Sequence, residues 1–252
     1  LKDAQDKGYA ESDPTLDING EDSAHKLSIL NSIIFSEIPS FKSIHVRGIE
    51  NIDLIDHHYS SEFGYNIRLI ALSLITDNGV YKEVTPMLVD KDSSLGRVDE
   101  ANNIIKIIGQ ESGDVVLEGQ GAGEGPTSSS VISDLIDCAT GSKLYLFSKS
   151  HSELSNNTDK ISSEERPYYL RFFLKDQKGS MSNLTKLLSD SNISLDKIIQ
   201  KDENNDSKDN FKPVIMITYP VKKDEIDSLI DILSSSDIVS SVPLHMPILV
   251  KG

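Results

Sequence analysis

The sequence predicts an α+β protein in two parts, a mixed β-sheet with helices on one face followed by a ferredoxin-like βαββαβ sandwich. Three observations predict it. From residue 43 to 123, short apolar groups alternate with turn signals, as sheet strands do. From 148 to 165, SKSHSELSNNTDKISSEE is poor in apolar residues and rich in serine, asparagine and charge, which marks a linker. Beyond it, strand and helix patterns succeed one another in βαββαβ order. At 252 residues the chain is long enough for two cores, modest ones at 37% hydrophobic and 6% aromatic content.

LKDAQDKGYA reads as a helix already in progress. Asn19-Gly20 is a turn signal, and Ala24, Leu27, Leu30 and Ile34 then recur at helical spacing, so a helix begins near Asp22. Residues 44–46 form the first strand, and 52–63 carry helical spacing through Ile55, Tyr59 and Phe63. The strands 67–76 and 81–89 flank Asp77-Asn78-Gly79, a hairpin signal, and 104–108 and 115–117 complete the sheet. Glycines 119 to 125 then lead into a helical run from Ser129, with Pro126-Thr127 suited to its start. In the second part YYLRFFLK is a strand, DQKGSMSNLTKLLSDSN a loop and helix, ISLDKIIQKD a strand and KDENNDSKDN a solvated loop. FKPVIMITYP is a third strand, KKDEIDSLIDILSSSD a helix, and 238–250 a last strand.

Twenty-five basic against forty acidic side chains give a formal charge of −15, which argues against nucleic acid or an anionic membrane as partner. The single cysteine, Cys138, has no internal disulfide partner, and among Leu135, Ile136 and Ala139 it is expected to be buried. With no apolar run near the roughly 18 residues of a membrane span and no visible signal peptide, the expected location is cytoplasmic. The six histidines form no spaced ligand set, and adjacent His57 and His58 point to different helix faces, so no metal site is expected. The absence of a G-x-S-x-G elbow leaves a hydrolase without support.

The chemistry concentrates in GYAESDPTLDINGEDSAHKL, residues 8–27. Glu11, Asp13, Asp17, Glu21 and Asp22 gather around a turn, and Lys26 lies one helical turn beyond Asp22. Two readings are open. An acidic residue four places before a lysine is commonly an exposed helix pair contributing roughly 0.3 to 0.5 kcal/mol. The same face also suits an amino acid, with carboxylates receiving its ammonium and the lysine meeting an oxygen.

This stretch resembles the substrate-binding signature of homoserine dehydrogenases, which runs through Gly-Tyr-x-Glu, Asp-Pro, Asp-x-x-Gly and Asp-x-x-x-Lys. VTPMLVDKDSSLGRVDEANNIIKIIG is similar to that family's strand, crossing loop and Asn-containing strand, and GQGAGEGPTSSSVISDLIDCA to its glycine-rich return into the cofactor domain. The resemblance implies a substrate and dimerisation domain over 1–147, of which 119–140 return to the cofactor domain. A linker over 148–166 and an ACT regulatory domain over 167–252 follow. In the last, Asp176, Gly179, Met181 and Leu184 at the first strand-helix turn and Asn192-Ile193-Ser194 resemble the ACT pattern, with Lys178 where a proline is usual.

What the family implies is an NAD- or NADP-dependent interconversion of L-aspartate 4-semialdehyde and L-homoserine, in threonine, methionine and isoleucine biosynthesis. A homodimer and an amino-acid effector such as threonine come with it. By the same resemblance Lys26 is the proton donor, Glu11, Asp22 and the backbone at Gly8 bind the amino acid, and Asp17 supports the turn. Gly121 and Gly123 lie near the nicotinamide, where glycine permits close approach. No G-x-G-x-x-G precedes the signature, and the glycines at 119, 121, 123 and 125 have neither that spacing nor a following acidic residue at the end of a second strand. The chain therefore reads as the carboxyl-terminal part of a longer enzyme, with the family's second lysine and its monovalent cation ligands upstream of Leu1. The alternative reading is an amino-acid-sensing protein without a cofactor domain.

Overall fold

The computed structural model describes residues 13–99, 102–141, 158–159, 164–200 and 210–250. Gly8, Glu11, the helix expected in LKDAQDKGYA and nearly all of the loop KDENNDSKDN lie outside the described residues.

A short helix that the sequence pattern did not announce, α1 (Thr15–Ile18), is started by Asp13, whose Oδ1 accepts from the Thr15 N–H at 3.2 Å and hydroxyl at 2.6 Å. Gly20, at φ 84°, turns the chain into α2 (Glu21–Phe35). The buried stripe of α2 is Ala24, Leu27, Ser28, Asn31 and Ser32, whereas Ile29, Ile33 and Ile34 are exposed. Ile34 thus leaves the apolar face expected for it, because the helix presents its small and polar residues to the sheet.

After β1 (His45–Val46), α3 (Leu54–Glu62) opens with a capping box in which Asp53 and Asp56 reciprocally bond the first-turn backbone. β2 (Tyr65–Thr76) and β3 (Gly79–Asp90) form an antiparallel hairpin paired along its whole length, from Thr76 with Gly79 to Tyr65 with Asp90. The other edge of β3 is shared by three remote pieces. β6 (Thr158–Asp159) pairs with Val80 and Tyr81, β1 with Glu83 and Val84, and Ile248 bridges to Leu88. That sharing explains why every residue from Val80 to Val89 is buried. The helices α2 and α3 lie on one face of this sheet, through Val84 and Leu69 and through Leu88 and Ile67 respectively.

Three sequence expectations are corrected here. β4 (Asn102–Gly109) and β5 (Gly113–Gln120) do not join this sheet but form a two-stranded sheet of their own. The short loop between them closes locally, which sacrifices less chain entropy than pairing with a distant edge. Cys138, expected inside, is exposed, because α4 (Glu124–Thr140) buries none of its residues among the described elements. Within the stretch expected to be linker, β6 is a strand of the sheet and Arg166 is buried.

The second part contains β7 (Tyr168–Lys175), α5 (Ser180–Asp190), β8 (Leu195–Ile199), β9 (Phe211–Thr218), α6 (Lys223–Ser234) and β10 (Leu244–Pro247). The antiparallel order β10-β7-β9-β8 is the ferredoxin-like arrangement expected. The last strand is shorter than 238–250, since Val239 makes only an isolated bridge to Leu174 and the ladder resumes beyond Pro243. One face of this sheet, with Leu170, Phe172, Val214 and Met216, packs on Leu184, Leu188, Ile226, Leu229 and Leu233 of the helices. Its other face does not meet solvent alone. Tyr169, Ile215, Ile217 and Met246 form one core with Tyr59, Ile67 and Leu88, so the two parts of the chain are joined by apolar contact.

Candidate functional site

The start of α2 is held in place by its surroundings. Asn19 Oδ1 accepts from the Glu21 N–H at 2.9 Å, which makes Asn19 the residue that holds the turn, while Asp17 is exposed on α1. Ile49 N–H donates to Ile18 O at 2.9 Å, and a Cβ on the intervening Gly48 would overlap Ile18 O and come to 2.6 Å from Asn19 Cα. A Cβ on Gly20 would reach Val46 and Val84 methyls at 3.3 Å. The turn is therefore clasped between the loop after β1 and the sheet itself. Gly48→Ala is expected to lower stability by about 1–3 kcal/mol, read as a lower urea midpoint at unchanged slope.

On this platform Lys26 Nζ meets Asp22 Oδ2 at 2.6 Å, with side chains 61% and 42% exposed. The pair forms an open, charged face. Gly121 and Gly123 lie elsewhere, on the connection from β5 to α4. A side chain at Gly121 would overlap Asn103, Gly123 takes φ 114°, and the first turn of α4 carries no side-chain cap. Glycine at 121 is thus required by the Asn103 side chain packed against it, and glycine at 123 suits its positive φ.

The junction of the two parts holds charged groups that the sequence did not single out. Arg171 Nη1 lies 2.6 Å from Asp53 Oδ2 and 3.3 Å from Asp56 Oδ2, while the Tyr169 hydroxyl donates to Asp56 Oδ1 at 2.8 Å. Burial pushes the Asp56 carboxyl up, opposed by the Asp53 N–H and by Arg171. Arg166 Nη1 donates to Glu83 Oε1 at 2.7 Å, and the Tyr81 hydroxyl to Glu83 Oε2 at 2.9 Å. Burial works against the Arg166 charge, yet Glu83 and Glu164 raise its pKa. Lys82 and Glu37 form a further buried pair at 2.5 Å. The one signal was the alternation in YYLRFFLK, which puts Tyr169 and Arg171 on the face opposite the module's helices.

Arg47 donates from Nε to Thr85 Oγ1 at 3.0 Å and from Nη1 to His245 Nε2 at 2.7 Å. Burial, then the Arg47 charge, brings His245 from 6.5 down to about 4. A base depressed on folding contributes stability that is present in full above pH 6.5 and is lost as pH falls from 6.5 towards about 4. Its full size is on the order of 3 kcal/mol. Asp56, shifted upward, has the opposite sign, because its burial penalty is relieved as pH falls towards its ordinary value of 3.8. Urea midpoints of the wild type are therefore expected to fall more between pH 6.5 and 4 than those of His245→Asn. Among the described residues no group of three or more His, Cys, Asp and Glu suits a metal ion, and no helix is long and apolar enough to cross a membrane.

Comparison with known proteins gives consistent results. Residues 1–136 match the family model described as homoserine dehydrogenase. A homoserine dehydrogenase of Neisseria gonorrhoeae is 31% identical over 98% of this chain and 57% of its own length. One of Helicobacter pylori is 36% identical over 80% of this chain and 48% of its own length. The crystal structure of a homoserine dehydrogenase from Thiobacillus denitrificans superposes with a TM-score of 0.83 at 30% identity, over 99% of this chain and 57% of that one. The chain thus spans about half the length of the curated relatives it matches. With more than half of its residues in the family model, and the signature turn and helix formed as described, the chain belongs to the homoserine dehydrogenase family.

Proposed function

We propose that this chain supplies the substrate-binding part of an NAD(P)-dependent homoserine dehydrogenase that interconverts L-aspartate 4-semialdehyde and L-homoserine in the cytoplasm. The observation that carries this reading is the Asp22–Lys26 pair at 2.6 Å on a turn clasped from both sides, within the residues matched by the family model. Asp22, with Glu11 and the Gly8 backbone, receives the substrate ammonium and fixes the orientation of the reacting carbon. Lys26 holds its proton beside the substrate oxygen and delivers it as negative charge develops there during aldehyde reduction. A nicotinamide cofactor, NAD or NADP, would supply the hydride when bound, and Gly121 and Gly123 are the residues of this chain that would hold its nicotinamide end. Asn19 and Gly48 orient the helix start and touch no reacting atom.

Residues 167–252 we assign as an ACT-type module that responds to an amino acid such as threonine. Their ferredoxin-like strand order and direct apolar contact with the substrate sheet support that reading. Homodimer formation through the substrate domain belongs to the same proposal. The test is homoserine oxidation with NAD and with NADP, followed by nicotinamide absorbance, on this chain and on the protein extended through its upstream reading frame. Activity in the extended protein supports the assignment. A folded extended protein without homoserine oxidation overturns it.

A further inference from the structure

Residues 47–53, which join β1 to α3, touch the α1–α2 turn through Gly48 and Ile49 and the carboxyl-terminal part through both of their ends. Ile49 N–H donates to Ile18 O at 2.9 Å, and Gly48 lies so close to Ile18 and Asn19 that no Cβ fits. At the front, Arg47 is fixed to the main sheet by its N–H on Val84 O at 2.8 Å and its Nε on Thr85 Oγ1 at 3.0 Å. From there it reaches β10, where Nη1 donates to His245 Nε2 at 2.7 Å. Arginine has only donors, so this bond needs a neutral imidazole with its proton on Nδ1. At the rear, Arg171 of β7 donates from Nη2 to Asn51 O at 3.1 Å, while its Nη1 holds Asp53, the cap of α3, at 2.6 Å. Between the two ends Ile52 N–H closes a turn on Ile49 O at 3.1 Å, and the Ile52 side chain packs against the core that contains Tyr169 and Met246.

We propose that residues 47–53 form a brace by which the carboxyl-terminal part fixes the α1–α2 turn, and that Arg171 and His245 are thereby positioning residues for homoserine. The proposal rests on the assignment of Asp22 and Lys26, which follow that turn, to the substrate. Seven residues without helix or strand hold one conformation only as firmly as their tertiary bonds do. Loss of the bond at either end lets the segment, and the Ile18 carbonyl it holds, sample other arrangements. Substrate affinity then falls in proportion to the fraction of molecules whose turn is competent. The brace needs no ligand on the carboxyl-terminal part and acts in the resting protein.

The test uses the protein extended through its upstream reading frame, with Arg171→Lys, His245→Leu, His245→Gln and Arg166→Lys, each checked for folding by circular dichroism. Arg171→Lys keeps a cation beside Asp53 and Asp56 but cannot bond Asn51 O at the same time. His245→Gln restores the acceptor that His245→Leu removes. Arg166→Lys disturbs the same junction at Glu83, yet Arg166 bonds none of residues 47–53 among the described residues. Two quantities are read: KM and kcat for homoserine oxidation, and hydrogen exchange at the Glu21 and Ile49 amides, which bond Asn19 and Ile18. In Arg171→Lys and His245→Leu, KM is expected to rise about threefold to tenfold with kcat within about twofold of wild type, and both amides to exchange faster. His245→Gln and Arg166→Lys should behave as wild type. Should Arg171→Lys fail to fold, His245→Leu against His245→Gln decides. Unchanged exchange at both amides in Arg171→Lys and His245→Leu overturns the brace, as does an equal change in Arg166→Lys. Faster exchange with unchanged KM overturns the positioning role. A folded wild type that oxidises no homoserine overturns the proposed function, while exchange at Glu21 and Ile49 still decides the brace.

Discussion

Arg166→Met is expected to lower the free energy of unfolding by about 3–5 kcal/mol, the largest effect on stability expected of any single change described above. Arg166 and Glu83 are 6% and 5% exposed and meet at 2.7 Å, so removing the guanidinium leaves a carboxylate buried without its cation. Tyr81 cannot replace it. Its hydroxyl already donates to Glu83, and burial together with that carboxylate holds the phenol in its neutral form. The bond from Arg166 to Glu164 contributes far less, since the Glu164 side chain is 54% exposed and screened by water. The double change Arg166→Met with Glu83→Leu is expected to recover most of the loss, because apolar groups of similar volume often replace a buried ion pair without penalty. Urea unfolding of the two single variants and the double variant closes the cycle. A loss below about 1 kcal/mol in Arg166→Met would show that this pair does not hold the module's first residues to β3.

In the full-length enzyme Lys26→Ala is expected to reduce kcat by about 10²- to 10⁴-fold, the range for removal of a positioned proton donor. Stability should hardly change, because the Asp22–Lys26 pair is exposed and such pairs contribute only roughly 0.3 to 0.5 kcal/mol. That contrast separates the two meanings of an acidic residue four places before a lysine. Asp22→Ala, which under the proposed function removes an ammonium acceptor, should raise KM for homoserine as well as lower kcat/KM. The measurement is steady-state homoserine oxidation with each variant confirmed folded. Turnover in Lys26→Ala within a factor of two of wild type would return the pair to the role of a surface ion pair.

The candidate site was legible where its signal is local. Asn19-Gly20 announces a turn by its own chemistry, and the observed φ of 84° at Gly20 is the conformation that glycine adopts most readily. Lys26 and Asp22 meet because helical geometry brings positions four apart together, whatever lies beneath. The role of Gly48 was not legible, since its need for a bare Cα arises only when Ile18 and Asn19, some thirty residues earlier, come to lie on it. Arg47, Glu83, Asp227 and His245 likewise carry no mark in the sequence that they line one cavity.

By itself the sequence determined the two-part α+β organisation, the hairpin about Asp77-Asn78, the βαββαβ order and the helix that carries Lys26, because periodicity, turn residues and caps act within a few residues of where they are written. Tertiary structure alone decided that β4 and β5 stand apart from the main sheet, that β6, β1 and Ile248 share one edge of β3, and that α2 turns Asn31 and Ser32 inward with Ile33 and Ile34 outward. It also decided that Arg166 closes on Glu83 from the far end of the expected linker. These outcomes depend on which edges and faces compete for the same partner, a competition settled by burial and charge pairing between segments far apart in the chain, and local pattern holds no record of the winner.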